Sequence, residues 1–127
     1  MPKFTLNVRP AAGDEKFVGV DANNPLPGEQ LLWVDVPLID PTTNQPVGSL
    51  SACVTFMRTS GDALLLGIAE HRLQGGTVSL QGTLRQNEVN RVWAITGGTG
   101  KYERARGTVT FEDPGLPTER ITYDIGP

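Results

Sequence analysis

Cysteine and histidine are nearly missing from this sequence, which has one of each, Cys53 and His71, in 127 residues. A lone cysteine cannot form an intramolecular disulfide, so oxidative stapling is not what holds the fold. One Cys and one His cannot supply a zinc or iron–sulfur ligand set, and no metal or other cofactor is expected. Runs of like charge are missing too. Eleven basic and fourteen acidic residues give a net charge of −3, spread so evenly that nucleic acid and anionic membranes, which demand a concentrated basic patch, are not expected as partners. Nowhere do about eighteen apolar residues run together, and the N-terminal MPKFTLNVRPAAGDEKF has no apolar stretch behind its lysine. The chain is therefore expected to be soluble and cytoplasmic. No stretch carries helical periodicity of useful length.

What the sequence has instead is alternation. Short stretches change between apolar and polar with period two, the pattern of antiparallel strands with one buried face. They run over Phe4 to Val8, Lys16 to Val20, Gln30 to Ile39, Val47 to Arg58, Asp62 to Leu73, Thr77 to Leu84, Arg91 to Thr96, Gly107 to Glu112 and Arg120 to Ile125. Fifteen Gly and ten Pro are spread along the chain rather than gathered into a tract, and read as turn punctuation, as in Asn23-Asn24-Pro25, Asp40-Pro41, Gln74-Gly75-Gly76 and Asp113-Pro114-Gly115. Length and the lack of any linker predict one domain over residues 1–127. Eight or nine strands without covering helices must hide their edges, and closure removes edges altogether. The expected fold is all-β, a closed antiparallel eight-stranded barrel with an apolar central cavity; a sandwich is the competing architecture. About eight strands leave an interior just wide enough for side chains or one small ligand.

The most specific string is AITGGTGKYERARGTVTF, Ala94 to Phe111. Its glycines permit a tight reversal, with Tyr102 and Ala105 packing under the turn and Gly107 opening the next strand. Lys101 after Gly100 suggests a phosphate loop only superficially, because a strand and not a helix follows. The string resembles the Gly-Gly-Thr-Gly-x-Tyr/Phe-x-x-Ala-x-Gly signature of the dirigent proteins and allene oxide cyclases. Upstream, Val34-Asp35-Val36-Pro37-Leu38 is similar to the dirigent Val-Asp-Asp-Pro-Leu. Val47-Gly48 with Gly61-Asp62-Ala63-Leu64-Leu65-Leu66 follows the dirigent pattern, and Gly76-Thr77-Val78-Ser79-Leu80-Gln81-Gly82 resembles a cyclase string. The resemblance covers about residues 28 to 125.

In that superfamily one face of each strand lines a long apolar cavity, and the matches phase the alternation. The inward sets become Leu31, Trp33 and Asp35; Leu50, Ala52, Val54 and Phe56; Leu64, Leu66, Ile68 and Glu70; and Val78, Leu80, Gly82 and Leu84. Two carboxylates, Asp35 and Glu70, then fall among apolar side chains, where desolvation would raise their pKa toward general acid–base use. They are the expected catalytic residues. Asp35 also matches the first Asp of the dirigent motif, a position implicated there in proton transfer. Leu31, Trp33, Val54, Phe56, Leu66, Ile68, Leu84 and Tyr123 are the expected pocket. His71 falls on the face opposite Glu70, with a surface or interface role expected. Arg58 and Arg85 stand at strand ends, where solvated charge is the default.

Where plant allene oxide cyclases carry a catalytic Cys and Tyr, this chain has Val54 and Leu84, and Thr5 stands for the catalytic Glu. Ser49 replaces the usual dirigent Arg, and Val36 the second Asp. The resemblance implies a cofactor-independent cyclase or isomerase that shapes a hydrophobic reactive intermediate during ring closure in natural-product biosynthesis. The alternatives are a dirigent-like protein guiding stereoselective coupling without chemistry of its own, and a lipophile-binding barrel. The partners expected are a small hydrophobic organic substrate and further copies of the chain, because members of the superfamily form trimers or dimers.

Overall fold

In a computed structural model, which describes residues 3–9, 11, 13–85, 88, 90–112 and 118–126, the alternating stretches form nine strands. They are β1 Lys3–Val8, β2 Glu15–Val18, β3 Gln30–Ile39, β4 Pro46–Arg58, β5 Leu64–Leu73, β6 Gly76–Arg85, β7 Arg91–Gly98, β8 Arg106–Glu112 and β9 Glu119–Gly126. The expected break at Asp113-Pro114-Gly115 lies outside the described residues. All pairings are antiparallel, in the order β1-β9-β8-β7-β6-β5-β4-β3-β2. The sheet closes because β1, paired along its length with β9, also meets β3 through Asn7↔Ile39 and Val8↔Leu38. Eight strands make the barrel. The ninth, β2, covers the other half of the same β3 edge, from Gln30 to Trp33. Closure satisfies the edge hydrogen bonds that a sandwich would leave open.

Between Trp33 and Val36 the β3–β4 register shifts. Asp35 sits there in the left-handed region at φ 51°, a conformation that Asp tolerates better than most residues. One extra residue at a bulge resets the alternation. Leu31 and Trp33 face inward before it, Val36 and Leu38 after it, and Val34 and Asp35 both lie exposed between.

The interior is filled by Leu6, Val8, Val36, Leu38, Val54, Val78, Leu80, Trp93, Ile95, Val109, Ile121, Tyr123 and Ile125. One end is plugged by the Gly-rich string. After β7 the chain passes Thr99 into a short 3-10 helix, Gly100–Tyr102, which the period-two reading does not contain. Gly100 takes φ +63°, and a Cβ there would lie 2.2 Å from the Gly75 carbonyl oxygen, so both conformation and space require glycine. The turn drives Tyr102 into the barrel floor, where it is buried.

On β5 the observed phase is opposite to the expected one, and this corrects four residues. Leu65, Gly67, Ala69, His71 and Leu73 face inward, while Leu64, Leu66, Ile68 and Glu70 face out. The reason lies in Trp93. Its ring covers the cross-strand pair Gly67↔Gly82, and a Cβ on Gly67 or Gly82 would lie 2.5 or 2.2 Å from it. The wall beneath a large ring has to be made of small residues, so the inward face of β5 is the less hydrophobic one.

Candidate functional site

Inside the barrel, above the plug, lies a cavity of about 150 Å³. Its walls come from β3 and β4 (Trp33, Val36, Leu50, Ala52, Val54), β5 and β6 (Ala69, His71, Leu84), β7 and β8 (Arg91, Trp93, Phe111), and β9 and β1 (Glu119, Ile121, Val8). It opens at the end where β4 passes to β5 and β6 to β7, beside Trp33, Leu84 and Arg91, and reaches down to His71.

Each of the eight barrel strands brings at least one inward residue to this cavity, as alternation in a closed sheet allows. Aromatic rings continue from one to the next. Trp93 meets Phe111 edge-on at 5.5 Å between centroids, Phe111 meets His71 at 6.2 Å, His71 meets Tyr123 at 5.6 Å, and Tyr123 stacks on Phe4 at 4.7 Å. The indole N–H of Trp93 donates to the Thr83 carbonyl at 3.0 Å, fixing the ring at the wall.

Among the described residues His71 is the polar one buried in this interior, 1% exposed, and its Nδ1 lies 2.6 Å from the Tyr123 hydroxyl. Desolvation brings its pKa down from 6.5 to about 4. Tyr123, fully buried and not itself on the cavity wall, is pushed well above the usual phenol range by desolvation and then by Tyr102. Both partners are thus neutral at pH 7, joined by one hydrogen bond that the hydroxyl donates to Nδ1 or Nδ1–H donates to the hydroxyl oxygen, according to the ring tautomer. That bond occupies Nδ1 and leaves Nε2 for a ligand, as a donor when the hydroxyl donates to Nδ1 and as an acceptor when Nδ1 carries the ring proton.

Of the expected pocket residues, Trp33, Val54 and Leu84 line the cavity. Leu31 packs against the core, and Phe56 packs edge-on against Phe17 at 6.4 Å; neither is on the cavity wall. Tyr123 stands behind His71. Leu66 and Ile68 are outside, the latter 62% exposed, because of the β5 phase.

The expected catalytic pair is not inside either. Asp35 is displaced by the bulge, its backbone N–H donating to the Ser51 hydroxyl at 2.9 Å on the outer surface. Glu70 is exposed and paired with Arg72 at 3.1 Å. Glu70 does line a second, larger groove of about 560 Å³, together with Cys53, Ile68, Gln81 and Thr96, but these are outward-facing residues of the barrel exterior. Arg58 and Arg85 both reach Asp62 at 3.6 Å near the mouth, half exposed.

Sequence reasoning missed His71, Arg91, Trp93 and Glu119 as cavity residues. A signal for His71 was present. Phasing β5 by its small residues, Gly67 and Ala69, opposite Gly82 and a large Trp93, would have placed it inside. Among the described residues no cluster of three or more His, Cys, Asp and Glu could hold a metal ion.

Comparison with known proteins agrees with this geometry. The dirigent-like protein family matches residues 32–125. No curated protein matches the sequence. Among solved structures, a pyocyanin demethylase superposes with a TM-score of 0.84 at 18% identity, over 98% of this chain and 100% of that one. A pterocarpan synthase dirigent protein gives 0.72 at 23% identity, over 98% and 82%. The Diels Alderase AbmU from Streptomyces koyangensis gives 0.69 at 14% identity, over 97% of this chain and 64% of that one. At these identities the likeness is one of fold. The family match over most of the chain settles membership: this protein belongs to the dirigent-like proteins.

Proposed function

We propose that this barrel is a cyclase or isomerase that encloses a small hydrophobic reactive intermediate and steers its ring closure or proton shift. The observation that carries the reading is a neutral, buried His71–Tyr123 pair at the floor of a cavity otherwise walled by apolar and aromatic groups. A cavity of about 150 Å³ matches the size that takes up a benzene-sized molecule, so one ring is enclosed and the rest of a larger substrate projects through the mouth.

Trp33, Trp93 and Phe111 provide flat walls that hold a reactive conjugated system in one conformation, converting a search among conformers into a positioned encounter. The same walls exclude water, protecting an intermediate that would otherwise be hydrolysed. His71 supplies the polar contact. With Nδ1 engaged by Tyr123, Nε2 either donates to a substrate carbonyl or accepts an enol proton. A neutral imidazole can polarise a carbonyl in this way without carrying charge into the cavity. Tyr123 is a positioning residue, because it fixes the ring without touching the ligand.

Family membership supports this reading, as do neighbours whose names describe a Diels Alderase and a pterocarpan synthase dirigent protein. A second reading is favoured by the depressed pKa of His71, which makes it a weak base: the cavity guides coupling of a reactive species without chemistry of its own. The two separate on a panel of tethered diene–dienophiles and prochiral enones bearing one six-membered ring, followed by chiral chromatography. The expected result is accelerated, stereoselective conversion that Ala69→Phe abolishes by filling the cavity, that His71→Gln slows by at least about tenfold, and that Asp35→Asn leaves unchanged. Retained rate with His71→Gln but altered stereochemistry supports the guiding role. Unchanged turnover with Ala69→Phe overturns both.

A further inference from the structure

Among the described residues, the cavity wall carries one buried N–H that its surroundings do not use. Arg91, the first residue of β7, points inward with Trp93 and Ile95, and its Nε is buried without a hydrogen-bond partner among the described residues. A guanidinium offers only N–H donors and no acceptor, so it cannot satisfy itself within an apolar wall. Leaving one of its N–H groups dry and unpaired is costly, and the cost is recovered when an acceptor arrives.

The neighbouring arginines are placed differently. Arg58 and Arg85 have Asp62, and Arg120 has Glu112. Glu119, on the same wall, has contacts of its own. Arg91 stands between the mouth, marked by Leu84 and Trp33, and the aromatic layer of Trp93 and Phe111. An acceptor on a ring lying in that layer would therefore meet the guanidinium before bulk solvent.

Resting on the reading of the cavity as a ligand site, we propose that Arg91 is a specificity-determining residue, and that the ring which the natural substrate seats in the cavity is planar and bears an oxyanion, a carboxylate or ionised hydroxyl, directed toward the mouth. The ring packs in the aromatic layer above His71. The oxyanion accepts from Nε and from the terminal nitrogens of Arg91, a fork that fits a carboxylate in two-point fashion. Neutral lipophiles of the same size enter but leave the buried N–H unpaired, and bind more weakly for that reason.

Isothermal calorimetry with benzoate and toluene on the full chain tests this. The expected result is benzoate binding at least about tenfold tighter than toluene, the advantage of a charge-assisted over an absent hydrogen bond. Arg91→Met should bring that preference to within about twofold while leaving toluene affinity nearly unchanged, because the Met stem preserves the apolar wall. Arg91→Lys keeps the charge, loses the fork, and should give an intermediate preference; it serves as the deciding variant if Arg91→Met does not fold. Equal affinity for the two probes in the unmodified protein, or a benzoate preference that survives substitution of Arg91, overturns the proposal. Failure of toluene and benzoate alike to bind overturns instead the reading of the cavity itself.

Discussion

Burial holds the His71 imidazole neutral down to about pH 4, whereas the same group in the unfolded chain protonates near 6.5. Between those values the unfolded state takes up a proton that the native state refuses, so acidification favours unfolding. The stability this group contributes is present above about pH 6.5 and is lost as pH falls toward about 4, in total about 3 kcal/mol. Carboxylates also titrate in the window, so the measurement is a comparison. Urea denaturation at about pH 7 and about pH 4.5 should show a smaller loss in His71→Phe than in the unmodified protein, by about 2 kcal/mol or more. An equal loss in both would mean that His71 is not buried as described. This residue also shows how local the illegible part of the site was. The sequence offered Asp35 and Glu70 as the polar groups of the interior because an unbroken alternation through β3 and β5 turns them inward. A bulge at Asp35, visible only once the pairing register is known, puts the first outside.

At the scale of the element, β5 and β7 explain each other. Hydrophobicity read along β5 picks Leu64, Leu66 and Ile68 as the buried set, and the sheet exposes that face because Trp93 on β7 occupies the volume that inward side chains would need. Alternation gave the strand; only the partner across the barrel gave its phase. Gly82→Ala tests this packing. Replacing a strand glycine ordinarily removes an entropic cost and stabilises, but here the new Cβ would lie 2.2 Å from Cδ1 of Trp93. Overpacking of this kind is expected to destabilise by about 1–3 kcal/mol and to shift tryptophan emission. A stabilised variant would show that the ring is not seated over the glycine pair. The strand boundaries themselves were legible, β3 to the residue and the others to within about two, since Gly, Pro and Asn mark turns through backbone chemistry that needs no tertiary context.

For the whole molecule, closure was legible because nine amphipathic strands without helices have few ways to hide their edges. The Gly-rich string between β7 and β8 carried the family, and its burial of Tyr102 in the floor of the barrel was foreseeable from the turn. What closure adds is a single water-poor interior in which residues distant in sequence, Trp33, His71, Leu84, Arg91 and Phe111, share one small volume. The central claim is that this volume, and not the larger groove beside Glu70 and Cys53 on the exterior, is where the protein holds its ligand. Crystals soaked in bromobenzene and measured at the bromine edge test it most directly. The prediction is one strong anomalous peak inside the barrel, in van der Waals contact with Trp93 and Phe111. A peak confined to the outer groove at Ile68 and Gln81, with the interior empty, would contradict it.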